Sequence, residues 1–330
     1  MFVPKPWTIP RIQTDAGATP AVMSLRAAPE RLELLLASAR RTYTARGLRA
    51  SDHLSRVWAR RLVGPYASEV LEVDRALGRP GAFLLNFSYE WGCTSGVAAD
   101  PDLGGMTLLR TLDWPFDGLG RAMVLVRQTG RAGDYLNLTL PGYVGILTAS
   151  APGRFAAAIN QPPLPSPMGP RIGGPLARWR VGGAREIPPD HLLRQVFDTC
   201  EDFDEALHLL RATPICIPAI FTLVGAKSGE AAIVERTEHQ AFFPKEAATA
   251  NHWTARPGPQ GRPRDRFSRP RRLAMRDLIG RKPDWSLAWM RPPILVATTR
   301  LALMSNPATG RLVAQGFEKT GAVTDILQLG

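Results

Sequence analysis

One short passage constrains this chain more than any other. Residues 86–100 read Asn-Phe-Ser-Tyr-Glu-Trp-Gly-Cys-Thr-Ser-Gly-Val-Ala-Ala-Asp, and Arg110-Thr-Leu-Asp113 follows soon after. The turn signal Asp102-Leu-Gly-Gly105 separates two apolar, strand-like runs, 93–99 and 106–112. Two such runs joined by a glycine-bearing turn are expected to close as a hairpin. Cys93 then begins one strand, Gly92 precedes it, and Arg110 stands on the neighbouring strand with Asp113 three residues further on.

These residue types suit one chemistry. A thiolate is a strong nucleophile and is favoured by a nearby cation, which Arg110 can supply. If the chain is cut before Cys93, the new α-amine, with a pKa of about 8, can accept a proton at neutral pH. No histidine lies near the motif, and none is needed if the amine of Cys93 is the base. Asp113 is a candidate acceptor for the ammonium form. The thiol could make the cut itself by attacking the Gly92 carbonyl, an N-to-S acyl shift followed by hydrolysis. The plainer reading of the same residues is a surface hairpin with an ordinary ion pair.

Around the hairpin the pattern is mixed. Residues 29–48 and 51–77 read as helices, with Gly47 and Gly78 as stops. Ala82-Phe-Leu-Leu-Asn-Phe87 reads as a buried strand. Further strands are expected at 122–128, 134–140, 142–149, 153–160, 216–225, 230–236, 240–243, 293–304 and 311–316. Helices are expected over 190–212, with Asp202 or Asp204 capping the second, and over 267–279. Residues 161–190 hold eight prolines and five glycines and read as a long exposed loop. Alternating helical and strand blocks predict layered α+β packing.

Composition narrows the classes. With 330 residues, 45% of them hydrophobic and 21% charged, the chain can bury a sizeable core and is not of disordered composition. Three cysteines (Cys93, Cys200, Cys216) give no disulfide framework, and the five histidines are scattered, so a mechanism without metal or cofactor is expected. The absence of a signal-like or membrane-spanning apolar run leads to the expectation of a cytoplasmic protein. The net charge is +12, and ten Arg/Lys against Asp265 and Asp277 fall between Arg256 and Lys282. That run reads either as a solvated surface or as an attraction to anionic membrane or nucleic acid; aromatics are not interleaved with it, which disfavours single-stranded nucleic acid.

Along most of its length the chain resembles the acid ceramidase and N-acylethanolamine acid amidase family, relatives of the bile-salt hydrolases and penicillin V acylases. The resemblance is carried by Asn86-Phe-Ser-Tyr-Glu-Trp-Gly-Cys-Thr-Ser95, Leu109-Arg-Thr-Leu-Asp-Trp114, Pro141-Gly-Tyr-Val-Gly-Ile-Leu-Thr148, Ala250-Asn-His-Trp253 and Asp265-Arg-Phe-Ser268, in this order. It implies a four-layer αββα N-terminal-nucleophile hydrolase. Residues 1–92 would be a helical pro-segment or small subunit, and 93–330 a catalytic chain that stays associated with it after cleavage between Gly92 and Cys93. It also implies roles: Cys93 as nucleophile, Arg110 beside it, Asp113 orienting the amine, Asn251 donating to the oxyanion, Asn160 as a second donor, and Arg266 completing the polar wall, with Arg269 and Arg271 as neighbours that a small slip in alignment would substitute. The implied reaction is hydrolysis of linear carboxamides, foremost N-acyl lipids such as ceramides or N-acylethanolamines, through a thioester. The rivals are an amidase or acyltransferase for penicillin V, bile salts or acyl-amino acids, and a non-catalytic basic protein that binds membrane or nucleic acid. The family's lysosomal disulfide has no counterpart here.

Overall fold

The computed structural model describes residues 6–14, 17, 19–62, 64–89, 91–163, 185–257 and 263–330. Most of the expected 161–190 loop, and part of the basic run, therefore lie outside the described residues.

Two sheets face one another. In the larger, strands run in the order β1 (Arg11–Gln13), β4 (Val124–Gly130), β5 (Gly133–Thr139), β6 (Thr148–Ala151), β7 (Phe155–Asn160), β8 (Ala219–Gly225), β9 (Ala231–Arg236) and β10 (Ala241–Phe242). Apart from the parallel β1–β4 pair, neighbours are antiparallel. In the smaller, the order is β11 (Ala248–Thr249), β2 (Gly92–Ala99), β3 (Met106–Asp113), β12 (Thr299–Asn306), β13 (Arg311–Glu318) and β14 (Gly321–Ala322), with β15 (Leu327–Leu329) also on β13.

Side-chain alternation explains the layering. Successive strand residues point to opposite faces. Cys93, Val97, Leu108, Leu112, Leu301, Leu303, Leu312 and Ala314 share one large core with strands β7 and β8 of the other sheet. The alternate positions Ala98, Leu109, Ala302, Met304 and Val313 enter a second core with Met275 and Trp289. Both faces of the smaller sheet are therefore apolar, and helix α8 (Ser268–Ile279) covers the outer one. Helices α6 (Pro189–Thr199) and α7 (Phe203–Ala212) pack on the larger sheet, and the Asp202 side chain caps α7 through the Glu205 amide. The result is the expected α+β stack of helix, sheet, sheet and helix.

Between residues 20 and 87 the described elements are helices: α1 (Pro20–Ala27), α2 (Pro29–Ala59), α3 (Ala67–Leu77) and α4 (Ala82–Phe87), with the short α5 (Leu119–Ala122) beside them. Helix α2 does not stop at Gly47; it breaks at Thr44 (φ 60°, ψ 166°) and resumes. Gly78 ends α3 in the left-handed region, as its position predicts. The 82–87 run is a helix and not the expected strand. The Asp52 carboxylate of α2 accepts from the Phe83 and Leu84 amides (both 3.0 Å), satisfying donors at the start of the helix.

The strand expected at 142–149 shrinks to β6. Residues 140–147 follow an irregular buried path whose amides find other partners: Tyr143 bonds Leu140, Val144 bonds the Asn86 side chain, and Ile146 bonds the Asp190 carbonyl.

One contact seats α8. A Cβ on Gly96 would lie 2.8 Å from Met275 Cγ and 3.1 Å from Ile279 Cγ2. The helix therefore rides directly on the β2 backbone. Replacing Gly96 with Leu should destabilise the fold by about 1–3 kcal/mol, as overpacking does, and shift α8. Urea unfolding reads this; an unchanged midpoint would mean that the contact is looser than described.

Candidate active site

The site is assembled where β2 begins. In the β2–β3 register Gly92 faces Asp113, Cys93 faces Leu112 and Ser95 faces Arg110. Pairing of β11 with β2 (Ala248 with Gly96, Thr249 with Ser95) carries Asn251, two residues on, to the level of Cys93. There the Cys93 amide donates to Asn251 Oδ1 (2.7 Å).

The thiol and the backbone amide of Cys93 are served from opposite faces. Cys93, Ser95 and Arg110 project between the sheets. The Cys93 thiol is fully buried against the Arg110 guanidinium. Burial pushes the thiol's pKa up, while Arg110, Arg271 and Arg264 pull it down. Folding thus favours the neutral thiol; this stabilisation is present below the ordinary thiol pKa and is lost as pH rises through the higher folded value. Arg110 Nη2 donates to the Ile159 carbonyl (2.7 Å), and Nη1 donates to Ser95 Oγ (3.3 Å) and Asn160 Oδ1. Ser95 Oγ also donates to Asn160 Oδ1 (2.9 Å), and Asn160 Nδ2 donates to the Ala250 carbonyl (3.2 Å). Asn160, the last residue of β7, thereby joins the two sheets.

On the other face, Gly92 looks toward Asn251 Oδ1 and the Asp113 side chain. Asp113 Oδ1 accepts from Thr299 Oγ1 (2.8 Å), and Oδ2 pairs with Arg271. Arg271 also donates to Asn251 Oδ1 (3.0 Å) and Asp265 Oδ2 (2.7 Å). Burial pulls the Arg271 pKa down to about 10, leaving it charged at neutral pH. Asn251 Nδ2 donates to the Gln161 carbonyl (2.7 Å), and the Asn251 amide donates to Ser268 Oγ (2.9 Å). His252 Nδ1 meets the same hydroxyl at 2.7 Å; burial, with help from Arg272 and Arg269, lowers its pKa to about 4, so it is neutral at pH 7. Glu235 fixes the adjoining loop by accepting from the amides of Thr254, Ala255 and Arg256.

The structure therefore gathers Cys93, Arg110, Asp113, Asn160 and Asn251, with Gly92 between them, but not Arg266. Arg266 is exposed and lies over the Phe267 ring, 4.6 Å from its centroid. Its expected place is taken by Arg271, because Ser268, Arg271 and Met275 form the inward stripe of α8 while Arg266 precedes the helix. The sequence reading also missed Ser95, Gln161, Ser268 and Thr299. Ser95 was findable, since it lies two residues from Cys93 on the same strand face; the others become neighbours only through tertiary packing.

Chemically, the cluster offers a thiol beside a guanidinium and a side-chain oxygen on the adjoining backbone nitrogen. It also offers two carboxamide nitrogens, on Asn160 and Asn251, each with a second N–H beyond the one described. Among the described residues no group of His, Cys, Asp or Glu has the geometry of a metal site.

Replacing Arg271 with Ala would leave the Asp113 carboxylate buried without its cation and should cost about 3–5 kcal/mol in urea unfolding. Arg266→Ala should stay within about 0.5 kcal/mol of the parent. The reverse order would return Arg266 to the site.

No family model matches the chain. It is 26% identical to a probable acid ceramidase of Caenorhabditis elegans over 215 residues, 58% of this chain and 52% of that protein. It is 29% identical to an N-acylethanolamine-hydrolyzing acid amidase of Cavia porcellus over 178 residues, 52% of this chain and 48% of that protein. The chain thus spans about half the length of these curated relatives. The solved structure of a Caenorhabditis elegans N-acylethanolamine-hydrolyzing acid amidase ortholog superposes with a TM-score of 0.53 at 18% identity, covering 72% of this chain and all of that one. The last of these similarities concerns the fold alone.

Proposed function

We propose, for a chain that belongs to the acid ceramidase and N-acylethanolamine acid amidase family, that it is an amidohydrolase activated by its own cleavage between Gly92 and Cys93. The observation that carries this reading is the buried meeting of the Cys93 thiol with Arg110 on one face of β2, and of its backbone nitrogen with Asn251 on the other.

In the cleavage step, Cys93 Sγ attacks the Gly92 carbonyl carbon. The C–N bond breaks, the nitrogen takes a proton, and water hydrolyses the resulting thioester. The products are a 1–92 chain ending in a carboxylate and a 93–330 chain beginning with a free amine and thiol. The two remain associated, because the 1–92 helices share the main core with the strands. In turnover, the α-amine takes the thiol proton and passes it to the leaving nitrogen of an amide substrate. Water then resolves the acyl thioester. Arg110 stabilises the thiolate. Asn251 Oδ1 and Asp113 accept from the new ammonium, with Arg271 holding both of them in place. The second N–H groups of Asn251 and Asn160 serve the oxyanion, where one such donor is worth roughly 3 kcal/mol of barrier.

Intact-mass analysis of purified protein tests the first step. The parent should appear as two chains divided at 92/93, and Cys93→Ala as one. Cleavage of the alanine variant at that bond would defeat self-processing.

N-acyl lipids are the substrate class favoured by an apolar cavity among the N-terminal helices, closed by Trp114 and Phe116 after β3 and by Pro141 and Gly142 after β5. Its walls include Leu25, Leu36, Leu77, Trp114 and Phe116. It does not contain Cys93; its nearest link to the chemistry along the chain is Trp114, which directly follows Asp113, the strand partner of Gly92. A cavity with so little polar lining suits an acyl chain better than a small polar amide. Leu36→Trp should therefore depress turnover of N-lauroyl or longer amides at least tenfold while sparing N-butanoyl amides, an expectation drawn from the 1–3 kcal/mol scale of pocket contacts. Equal losses for both would favour a penicillin- or bile-salt-type substrate. Peripheral contact with anionic membrane through the arginine-rich run of 256–282, and a cytoplasmic site of action, belong to the same reading. Among the described residues no helix is long and apolar enough to cross a membrane.

A further inference from the structure

The residues just ahead of the scissile bond are held as deliberately as the nucleophile. Tyr89 has a positive φ of 48°, a backbone state costly for a bulky side chain. Its carbonyl is held by Arg264 Nη2 at 2.9 Å. The Tyr89 ring is wedged edge-on between Trp58 and Trp91. Trp91 is buried, and its indole lies close enough to the Tyr143 hydroxyl to lower the tyrosine's pKa against the stronger upward push of burial. Tyr143 in turn donates to Asp190 Oδ2 (2.8 Å).

Asp190 has no part in the chemistry described above, yet the fold makes room for it with care. It stands in the first turn of α6, fully buried, where the helix N-terminus favours a carboxylate. Gly145 passes so close that a Cβ there would fall 2.3 Å from Asp190 Oδ2. The other titratable groups around it are Tyr89 from the pre-cleavage segment, Cys216 ahead of β8, and His191 on its own helix. All three are neutral at pH 7: burial drives Tyr89 and Cys216 upward and His191 down to about 3.

The geometry points to Asp190 and Tyr143 as positioning residues for self-cleavage. The Asp190 carboxylate fixes the Tyr143 hydroxyl beside the buried Trp91 indole, and the indole so packed sets the approach of the Gly92 carbonyl to the Cys93 thiol. This inference rests on the self-processing reading and extends it to residues that touch neither reacting atom. A carboxylate only accepts, so an ionised Asp190 forces the tyrosine to point its proton at it and to present a lone pair to the indole. Burial raises the Asp190 pKa to about 7. The clamp is therefore fully formed above neutrality and loosens as pH falls through that value.

The test is the rate of appearance of the 93–330 chain in freshly purified full-length protein. Trp91→Phe keeps an aromatic side chain but removes the indole N–H together with the five-membered ring; it should slow cleavage about tenfold, the scale of a lost buried polar contact. Tyr143→Phe should do the same, and the double variant should be no slower than either single one, because both break one chain. The parent's cleavage rate should step upward near pH 7, and Asp190→Asn should lack that step. Parent-like rates in folded Trp91→Phe, multiplicative losses in the double variant, or a step near pH 7 that survives in Asp190→Asn would each overturn the inference. A parent that never divides at 92/93 would instead sink the self-processing reading.

Discussion

The arrangement depends on one side-chain oxygen. Asn251 Oδ1 receives both the Cys93 amide and the Arg271 guanidinium, and both bonds are buried. Through the first it ties β11 to the start of β2; through the second it ties that point to α8. Arg271 extends the tie to Asp113 at the end of β3. Three strands and a helix thus converge on the nitrogen of a single residue. A buried hydrogen bond to a charged group contributes about 1.5–3 kcal/mol net, but an orphaned partner costs more, so the cluster is held together by what its loss would leave unpaired.

The sheet separates two tasks. Arg110 and Asp113 are three residues apart, an odd interval on a strand, so they point to opposite faces. Arg110 meets the thiol in the buried space between the sheets, where a cation has most influence on a thiolate. Asp113 lies on the α8 side, next to Gly92 and the backbone nitrogen. The Arg-x-x-Asp spacing therefore does not gather both charges at one point; it sets one on each side of the same chain bond. Asn160 closes the inner side by linking Arg110 and Ser95 of one sheet to the end of a strand in the other.

Much of this was readable from residue order, because strand parity and turn signals act locally. The hairpin of 93–99 and 106–112 appears with nearly the expected ends, and most other strands follow. Two misreadings share a cause. Ala82–Phe87 is an uninterrupted apolar run too short to distinguish helix from strand by its period. What decides it is a carboxylate some thirty residues earlier, Asp52, that caps the helix from outside. Similarly, the arginine of the polar wall could not be fixed by a matching four-residue segment. The helical stripe of Ser268, Arg271 and Met275 selects Arg271 and leaves Arg266 in solvent. The Tyr143–Asp190 pair was invisible for the same reason, its members being distant in sequence and joined by packing alone.

The account stands or falls on whether Cys93 carries the acyl group during turnover. Mature protein mixed with an N-lauroyl amide and quenched in acid should yield a 93–330 chain heavier by one lauroyl group, labile to hydroxylamine and mapped to its first residue. An unmodified chain under steady turnover, or an adduct on any other residue, would contradict it.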